Sequence, residues 1–281
     1  MTSIRMQTGS RQRRTIMKWL NLLERANYEE STDPTLETLM AIQQQCMLTI
    51  PFENLDIHLG RKIELDGPRI YKKVIKSNRG GFCYELNELL LQCLTELGFS
   101  CTRIEARVNF IDNPAPFDHQ TCLIQLDELW LSDISFGDSS FVPLRLNYTE
   151  PQSDGTCWYR VKPTSNGMYE IFQSEDSSPD ADTWKSLLTL NPTPQPWSAF
   201  NERCLYHQSS AESHFPRKRL CSRRTEKGRI TLTGNTLKTR IGNITSDEPV
   251  SEADYTRVLA ELFGVHLDKP DWINPLEGPA R

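Results

Sequence analysis

The sequence predicts an α+β protein, because its hydrophobic periodicity changes along the chain. From Met17 to Gly98 the apolar residues recur at the 3.6-residue spacing of a helix. From residue 102 they alternate with polar residues, as in strands with one wet face. A Pro-rich segment over 191–197 then precedes a section of mixed helix and strand patterns. We therefore expect a basic tail over 1–16, a helical unit over 17–98, a β unit over 99–199 and an α/β unit over 200–281.

The composition is that of an ordinary globular protein. The chain has 281 residues, of which 37% are hydrophobic and 25% are charged. Its net charge of −5 argues against a general nucleic-acid binder. No apolar run approaches the roughly 20 residues that a membrane-spanning helix needs, and no signal-peptide core is present. We therefore expect a cytoplasmic protein that has neither nucleic acid nor a membrane as a partner.

The cysteines and histidines show no metal-binding pattern. None of the eight cysteines forms a C-x-x-C pair, and the five histidines are scattered along the chain. We therefore expect no bound metal. A chain of this length builds its own core and carries no export signal, which favours reduced thiols over disulfides.

The first sixteen residues are basic, with Arg5, Arg11, Arg13 and Arg14 and no acid before Glu24. Such a tract, which is rich in Ser, Thr and Gln, matches either a mitochondrial presequence or a disordered tail. We favour the disordered tail, because a basic Ser-rich tract alone is a weak targeting signal.

The helical unit contains four helical segments, which include "MKWLNLLERAN" and "GPRIYKKVIKSN". Another begins with Asp33 as the expected N-cap and Pro34 at the first helical position, and Pro51 ends it. The last segment has a continuous apolar stripe over 82–97, and Gly98 is a natural residue to follow its end.

Strand patterns fill the middle unit. "TRIEARVNF" alternates, and "HQTCLIQL" and "LWLSDISF" flank Asp127 and Glu128 as the two strands of a hairpin. Further strand-like pieces are "FVPLRL", "CWYRVKP" and "MYEIFQ". The last section predicts a helix at "SAFNERCLYHQSS", two or three strands, and a helix with Ser251 and Asp254 as a capping box and Gly264 past its end.

Cys83 lies at the first turn of the 82–97 helix, directly behind Gly80 and Gly81. The partial positive charge of a helix N-terminus favours a thiolate there. The backbone N–H of Tyr84 is a candidate oxyanion donor. The two glycines allow a tight turn and leave space for a substrate. Cys83 is therefore a candidate nucleophile.

The alternative interpretation of Cys83 is a small buried hydrophobe, which is the usual role of a free cysteine. Cys93 fits that alternative, because it lies on the apolar stripe. Glu85 and Glu88 add negative charge near the helix start and are expected to offset part of the thiolate stabilisation.

His119 is the candidate base for this thiol. It opens a strand of the middle unit, and Asp133 lies 14 residues further on, inside an apolar strand. An unpartnered carboxylate there would be costly, and pairing with His119 removes that cost and orients the imidazole. The remaining histidines are interpreted as turn, surface or capping residues: His58, His207, His214 and His266.

The hairpin register decides whether this pair can form. A two-residue turn at Asp127 and Glu128 places Asp133 opposite Cys122, on the face away from His119. A three-residue loop over 126–128 places Asp133 on the same face as His119, within side-chain reach. The pair therefore requires an odd-numbered loop or a bulge.

These motifs together resemble the arylamine N-acetyltransferases, from about Met17 onward. "IPFENLD", "RGGFCYELN", "DHQTCLIQ" and "WLSDISFG" are similar to family segments, and Cys83, His119 and Asp133 match the family's acetylated cysteine, its histidine and its aspartate. The resemblance implies a papain-like thiol-enzyme core. It consists of an N-terminal helical bundle, a central β-barrel and a C-terminal α/β lid.

The resemblance also implies the chemistry. Acetyl-CoA, as co-substrate, acylates the cysteine in a ping-pong reaction. An arylamine or arylhydrazine then takes the acetyl group on its amino nitrogen. No permanently bound cofactor is implied. The alternative is a papain-like thiol hydrolase or amide synthase with the same three residues. An inactive relative retained for binding is a third interpretation, against which the intact set of three residues weighs.

Further site residues follow from the resemblance alone. Phe136 matches the aromatic residue that lines the family's aryl pocket, and Gly137 belongs to a loop near the CoA pyrophosphate. Arg79 and Glu53 match a structural ion pair. Ser135 replaces a family glycine, and we expect its side chain to crowd the pantetheine path.

Two more regions concern the substrates. Asp138 and Ser140 match positions that help to set acceptor choice, so the preferred acceptor stays open. The basic segment 217–229 is interpreted as a solvated strand face, with phosphate steering as the alternative.

Overall fold

The structure is a computed structural model that describes residues 18–137, 139–175, 178, 183–242 and 244–276. The basic tail over 1–16 and Asp138 therefore lie outside the described residues. Within these ranges, no helix combines the length and the apolar character needed to cross a membrane.

Helices occupy the first part of the chain, and two more lie near its end. Their bounds are α1 Asn21–Arg25, α2 Leu36–Thr49, α3 Leu55–His58, α4 Gly67–Ile70, α5 Cys83–Glu96, α6 Asn201–Ser209 and α7 Tyr255–Phe263. Helix α4 continues as a π-helix over Tyr71–Lys76, and 3-10 turns cover Trp197–Phe200 and Phe215–Arg217.

The predicted start of α2 is wrong by two residues. Thr35, not Asp33, is the N-cap, because its hydroxyl accepts a hydrogen bond from the backbone N–H of Thr38. Pro34 therefore precedes the helix. Helix α5 begins and ends within one residue of the prediction, and Gly98 follows it with a φ of 94°.

The end of the chain follows the prediction in part. Gly264 ends α7 in the left-handed conformation, with a φ of 68°. Ser251 accepts a hydrogen bond from the backbone N–H of Asp254, but this contact lies in the turn before α7. The helix itself begins at Tyr255, three residues later than a capping box with Ser251 as N-cap requires.

Thirteen strands are described. Their bounds are β1 Phe52–Glu53, β2 Ser100–Val108, β3 His119–Gln125, β4 Leu129–Ser132, β5 Leu144–Arg145, β6 Gln152–Ser153, β7 Trp158–Pro163, β8 Tyr169–Ser174, β9 Lys185–Asn191, β10 Leu220–Thr225, β11 Gly228–Thr233, β12 Thr236–Ile241 and β13 Ile244–Pro249. Together with the helices they confirm the α+β class. Strands β1, β6, β9 and β13 were not predicted.

Strands β2 to β9 form a barrel-like sheet in the order β5-β4-β3-β2-β9-β8-β7-β6. Its two edges come close to one another. The side-chain amide of Gln152 on β6 accepts from the backbone N–H of Arg145 on β5 at 2.8 Å and donates to the carbonyl of Arg145 at 2.9 Å. One side chain thus links the two edge strands where the backbone ladder stops.

The remaining strands form a second sheet in the order β1-β10-β11-β12-β13. Phe52 and Glu53, from the helical part of the chain, pair with Ser222 and Cys221. Backbone hydrogen bonds therefore connect the last section of the chain to β1, in the helical part of the chain.

The β3–β4 hairpin has the three-residue loop that the pairing of His119 with Asp133 requires. Cys122 is paired with Ser132 and Gln125 with Leu129. Asp133 follows the last paired residue of β4, so it leaves the sheet on the same face as His119.

The core joins helix α5 to the barrel-like sheet. Leu86, Leu90 and Cys93 of α5 pack in one buried cluster with Cys122 and Ile124 of β3. All eight cysteines are free thiols, as predicted. Because α5 and β3 share this core, their side chains are held at a fixed distance from one another.

Only part of the basic segment over 217–229 is solvated. Arg224 is buried and forms an ion pair with Asp154 at 3.3 Å. Arg223 donates to the backbone carbonyl of Leu262 at 2.8 Å. The prediction was wrong because these guanidinium groups find acceptors on other parts of the fold, which no local pattern reveals.

Candidate active site

Cys83 is the first residue of α5, and its side chain is buried. The preceding glycines are required by packing more than by turn geometry. A Cβ atom on Gly80 would lie 2.1 Å from the carbonyl oxygen of Pro51. Gly81 bridges to Phe52 in parallel. Only a residue without a Cβ atom lets the segment before Cys83 lie this close to the backbone at 51–52.

The acids near the start of α5 are paired, so they offset a thiolate less than the sequence indicates. Glu85 accepts from Lys73 at 2.8 Å and from the backbone N–H of Phe82 at 2.8 Å. Glu88 forms an ion pair with Arg103 at 2.6 Å. Each carboxylate thus has a cationic partner, although Lys73 is shared with Asp56 at 2.9 Å.

Arg79 and Glu53 form the ion pair that the resemblance implied. Both are buried, and Nε of Arg79 donates to Glu53 at 2.8 Å. A second carboxylate, that of Asp56, lies 3.0 Å from the guanidinium. Glu53 also accepts from the backbone N–H of Leu55 at 2.8 Å. The pair therefore connects the residue four positions before Cys83 to strand β1.

His119 and Asp133 are both buried, and Nε2 of His119 is hydrogen-bonded to Oδ2 of Asp133. The other carboxylate oxygen of Asp133 accepts from Asn87 at 3.0 Å and from the backbone N–H groups of Ser135 at 2.9 Å and Phe136 at 3.1 Å. Burial alone would raise the pKa of Asp133, but His119 and these donors hold it below its usual range. The carboxylate is therefore a fixed anion that orients the imidazole.

The electrostatics of Cys83 contain two opposing effects. Burial, and then the neighbouring Cys204, raise the pKa of the Cys83 thiol well above its usual value. The backbone N–H groups of Gln120 and Tyr84 act in the opposite direction, as hydrogen-bond donors to the sulfur. The amide of Tyr84 therefore stays a candidate oxyanion donor. Burial, which the sequence analysis gave only as the alternative interpretation of Cys83, counteracts the helix N-terminus.

Cys83 and His119 line one cavity of about 280 Å³. The three residues predicted to bind substrate, Ser135, Phe136 and Gly137, lie on its wall. The ring of Phe136 lies 5.3 Å from the ring of His119, centroid to centroid. Half of the other lining side chains are apolar, namely Phe52, Val108, Phe110, Ile111, Phe215 and Leu220, and the other half are polar or charged, namely Asp118, His207, His214, Ser222, Arg229 and Thr231.

Asn87 was missed by the sequence analysis. It is fully buried, and its amide nitrogen donates to Asp133 at 3.0 Å, to the hydroxyl of Ser135 at 2.8 Å and to the carbonyl of Gln120 at 2.6 Å. Its position one helical turn after Cys83, beside the apolar stripe, was the available signal.

The interpretation of His207 as a surface or capping residue is wrong. His207 on α6 is buried and lines the same cavity as Cys83, next to Asp118. Helix α6 packs its inner face against the site, and the sequence alone does not reveal that docking. His58 is buried too, where its Nε2 contacts the carbonyl of Phe215 at 3.0 Å.

The two positions linked to acceptor choice are not both described. Asp138 lies outside the described residues. Ser140 is buried, and its carbonyl accepts from the side-chain amide of Gln43 at 2.9 Å. Its burial arises from packing against α2, which was not apparent in the sequence.

This arrangement suits acyl transfer. A thiol and an imidazole held by a carboxylate face one cavity, and backbone N–H groups lie beside the thiol. Among the described residues, no cluster of three or more His, Cys, Asp or Glu side chains is arranged to hold a metal ion.

Comparisons with known proteins agree with this class. A family model described as N-acetyltransferase matches residues 35–272. The arylamine N-acetyltransferase of Escherichia coli (strain K12) is 31% identical over 256 residues, which cover 87% of each chain. The chain therefore belongs to the arylamine N-acetyltransferase family of acyltransferases.

Solved structures of the family have the same fold. The arylamine N-acetyltransferase from Salmonella typhimurium superimposes with a TM-score of 0.82 at 25% identity, over 90% of this chain and 93% of the other. That of Mycobacterium marinum, solved in complex with CoA, gives a TM-score of 0.79 at 25% identity, over 88% of this chain and 93% of the other.

Proposed function

We propose that this protein transfers the acetyl group of acetyl-CoA to the amino nitrogen of an arylamine or arylhydrazine, by a ping-pong mechanism through acetyl-Cys83. The observation that carries the proposal is that Cys83 and His119 line one cavity, with His119 hydrogen-bonded to Asp133. The solved complex of the Mycobacterium marinum relative with CoA supports acetyl-CoA as the co-substrate.

In the first half-reaction, His119 takes the proton of Cys83 and the sulfur attacks the acetyl carbonyl carbon. The backbone N–H of Tyr84 stabilises the resulting oxyanion. When the tetrahedral intermediate collapses, the carbon–sulfur bond to CoA breaks, and the CoA thiolate takes the proton from the imidazolium of His119. The products are acetyl-Cys83 and free CoA.

In the second half-reaction, the amine attacks the thioester carbonyl and His119 takes a proton from its nitrogen. Collapse of this intermediate breaks the bond between the acetyl carbon and the sulfur of Cys83. The thiolate returns beside the imidazolium, and the amide leaves. Asp133 keeps its negative charge throughout and stabilises the imidazolium.

The remaining assignments are proposals of the same kind. Phe136, Gly137 and Ser135 bind substrate, and Arg79 with Glu53 supports the segment that carries Cys83. The units are 17–98, 99–199 and 200–281, arranged as a papain-like core with a lid. The pairing of β1 with β10 supports contact between the lid and the first unit. The eight free thiols support a cytoplasmic location.

A steady-state assay tests the reaction directly. The protein is mixed with acetyl-CoA and a panel of anilines and aryl hydrazines, and both CoA release and amide formation are followed. We expect CoA and amide to form in equal amounts, with parallel-line ping-pong kinetics. Release of CoA with acetate in place of the amide would instead favour the thiol hydrolase.

The pH dependence of Cys83 alkylation tests its pairing with His119. Transfer of the proton from Cys83 to His119 leaves the total charge of the site unchanged, so burial penalises the pair less than a lone thiolate. We expect iodoacetamide to react with wild-type Cys83 well below the usual thiol pKa of about 8.5.

The His119→Ala variant shows in which direction burial shifts the pKa of the Cys83 thiol. It leaves Cys83 without an imidazole to take its proton, so the burial that raises the pKa of this thiol is no longer offset by pairing. Alkylation should therefore need a pH above the usual thiol pKa, while the exposed control His266→Ala keeps the wild-type profile. Identical profiles in the wild type and His119→Ala would contradict the pairing.

Ser135 provides a further prediction. Its hydroxyl accepts from Asn87 at 2.8 Å and donates to Asp133 at 3.3 Å, which favours a supporting role over crowding of the pantetheine arm. Ser135→Gly is expected to slow single-turnover acylation about fivefold, as for the loss of one net hydrogen bond of about 1 kcal/mol. Ser139→Gly is a matched control, because its buried hydroxyl has no hydrogen-bond partner among the described residues. Faster acylation by Ser135→Gly would support crowding.

A further inference from the structure

Tyr84 follows Cys83 in α5, and its side chain is fully buried. Its phenol hydroxyl donates to the backbone carbonyl of Phe117 at 2.7 Å and lies 3.1 Å from the carbonyl of Asp118. Burial raises the pKa of this phenol well above its usual value, so the group keeps its proton and acts as a donor. The hydroxyl therefore connects the start of α5 to the two residues that precede His119.

Phe117 has a strained backbone. Its φ of 65° lies in the left-handed region, which a residue with a bulky side chain rarely adopts. Such a conformation persists only where surrounding contacts hold it. The backbone N–H of Phe117 donates to Oε2 of Glu105 on β2 at 3.1 Å, and its carbonyl accepts from Tyr84. Hydrogen bonds on both sides of the residue thus hold a strained turn directly before the strand that carries His119.

A second set of contacts joins α5 to the residue after His119. The side-chain amide of Asn87 donates to the backbone carbonyl of Gln120 at 2.6 Å. The backbone N–H of Gln120 is a hydrogen-bond donor to the sulfur of Cys83. His119 therefore lies between two points, 117–118 and 120, at which the chain is attached to α5.

The two attachments differ in what else supports them. Gln120 lies within β3, so the sheet holds it as well. Phe117 and Asp118 precede that strand. The carboxylate of Asp118 is bound by Arg203 of α6 at 2.6 Å, whereas the two backbone carbonyls meet the hydroxyl of Tyr84. This hydroxyl therefore contributes most directly to the course of the backbone into β3.

We infer that Tyr84 is a positioning residue, whose hydroxyl holds the backbone before His119 and thereby sets the distance between the imidazole of His119 and the sulfur of Cys83. The inference rests on the proposed function, in which His119 takes the proton of Cys83. Reacting groups must lie close to their productive geometry, because a displacement of about 1 Å costs a large factor in rate. This role belongs to the side chain and is separate from the backbone N–H of Tyr84.

Tyr84→Phe removes the hydroxyl and keeps the ring and the backbone N–H. Single-turnover acylation is measured over a range of acetyl-CoA concentrations. We expect the rate constant at saturation to fall about tenfold, because His119 is displaced. The half-saturating concentration should stay at the wild-type value, since Tyr84 does not line the cavity.

Tyr28→Phe is the matched control. Tyr28 is also buried, and its hydroxyl also donates to a backbone carbonyl, that of Ser31 at 2.5 Å. It packs in the cluster of α2 and does not line the cavity. We expect both variants to unfold at a lower temperature than the wild type, and only Tyr84→Phe to acylate more slowly.

The pH dependence of Cys83 alkylation is a readout that stability alone does not move. Tyr84→Phe alters none of the other titratable groups around the thiol, which are His119, Asp133, Asp118, His207 and Cys204. We expect alkylation to shift to higher pH, in the direction of His119→Ala, because a displaced imidazole offsets less of the effect of burial. 4-Aminophenylalanine at position 84, whose N–H replaces the O–H donor, should restore the acylation rate and the pH profile.

A wild-type acylation rate and a wild-type alkylation profile in folded Tyr84→Phe would overturn the inference. An equal loss of rate in Tyr28→Phe would also overturn it, because the effect would then follow from stability. If Tyr84→Phe does not fold, 4-fluorophenylalanine takes its place, since fluorine fills the space of the hydroxyl and donates no hydrogen bond. Failure of the proposed function is separate: the wild type would form no acetyl-Cys83, while the alkylation profiles would still show whether Tyr84 acts on the Cys83–His119 pair.

Discussion

Replacing Cys83 with alanine is expected to reduce acetyl transfer to background. Removal of the nucleophile of a catalytic triad costs on the order of 10⁶-fold in kcat in a well-studied hydrolase, because the covalent route is lost entirely. In wild-type protein incubated with acetyl-CoA and no amine, intact mass spectrometry should find one added acetyl group. Peptide mapping should locate that group on Cys83.

Cys93→Ala is the matched control for this experiment. Cys93 is a fully buried thiol on the same helix, ten residues further on, and it belongs to the core and not to the cavity. Its truncation is expected to cost about 1 kcal/mol of stability and to leave the rate of transfer unchanged. Acetylation at any cysteine other than Cys83, or transfer by Cys83→Ala at more than a trace, would contradict the assignment.

Replacing Asp133 with asparagine is expected to lower kcat about 10³–10⁴-fold, by analogy with the loss of the acid from a serine-protease triad. The carboxylate accepts hydrogen bonds from His119, from Asn87 and from the backbone N–H groups of Ser135 and Phe136. An amide has only one oxygen, so its NH₂ group must face a donor on one side. Either His119 loses its orientation or the donors on the other side lose their acceptor.

Asp154→Asn separates this catalytic effect from loss of stability. Asp154 is also a buried acid that accepts from backbone N–H groups, those of Phe141 and Cys157, and it pairs with Arg224. It does not line the cavity of Cys83. We expect both variants to unfold at a lower temperature than the wild type, but only Asp133→Asn to lose kcat. Equal kcat values for Asp133→Asn and the wild type would remove Asp133 from the proposed mechanism.

The elements with strong local periodicity were predictable from the sequence. The apolar stripe of α5 and the alternation in β2 depend on spacing along the chain, so their bounds agree with the structure to within a few residues. The hairpin is the instructive case. The requirement that His119 and Asp133 share a face selected the three-residue loop, and the register confirms it.

Features that depend on contacts between distant segments were not predictable. Strand β9 has weak alternation of its own and pairs with β2 and β8, which precede it in the chain. From the sequence, Arg224 was interpreted as an exposed strand residue. In the structure it pairs with Asp154, which lies 70 residues away in the chain. No window along the sequence contains such a pairing.

The sequence by itself determined the α+β class, the position of Cys83 at a helix N-terminus, and the pairing of His119 with Asp133, because local periodicity and the cost of an unpaired carboxylate are enough for these. Only the tertiary structure decided the surroundings of the site. It buried Cys83, which raises the pKa of its thiol, and it brought His207 of α6 to the same cavity. These outcomes depend on how the last section docks on the first two, and that docking is set by side-chain packing between segments far apart in the chain.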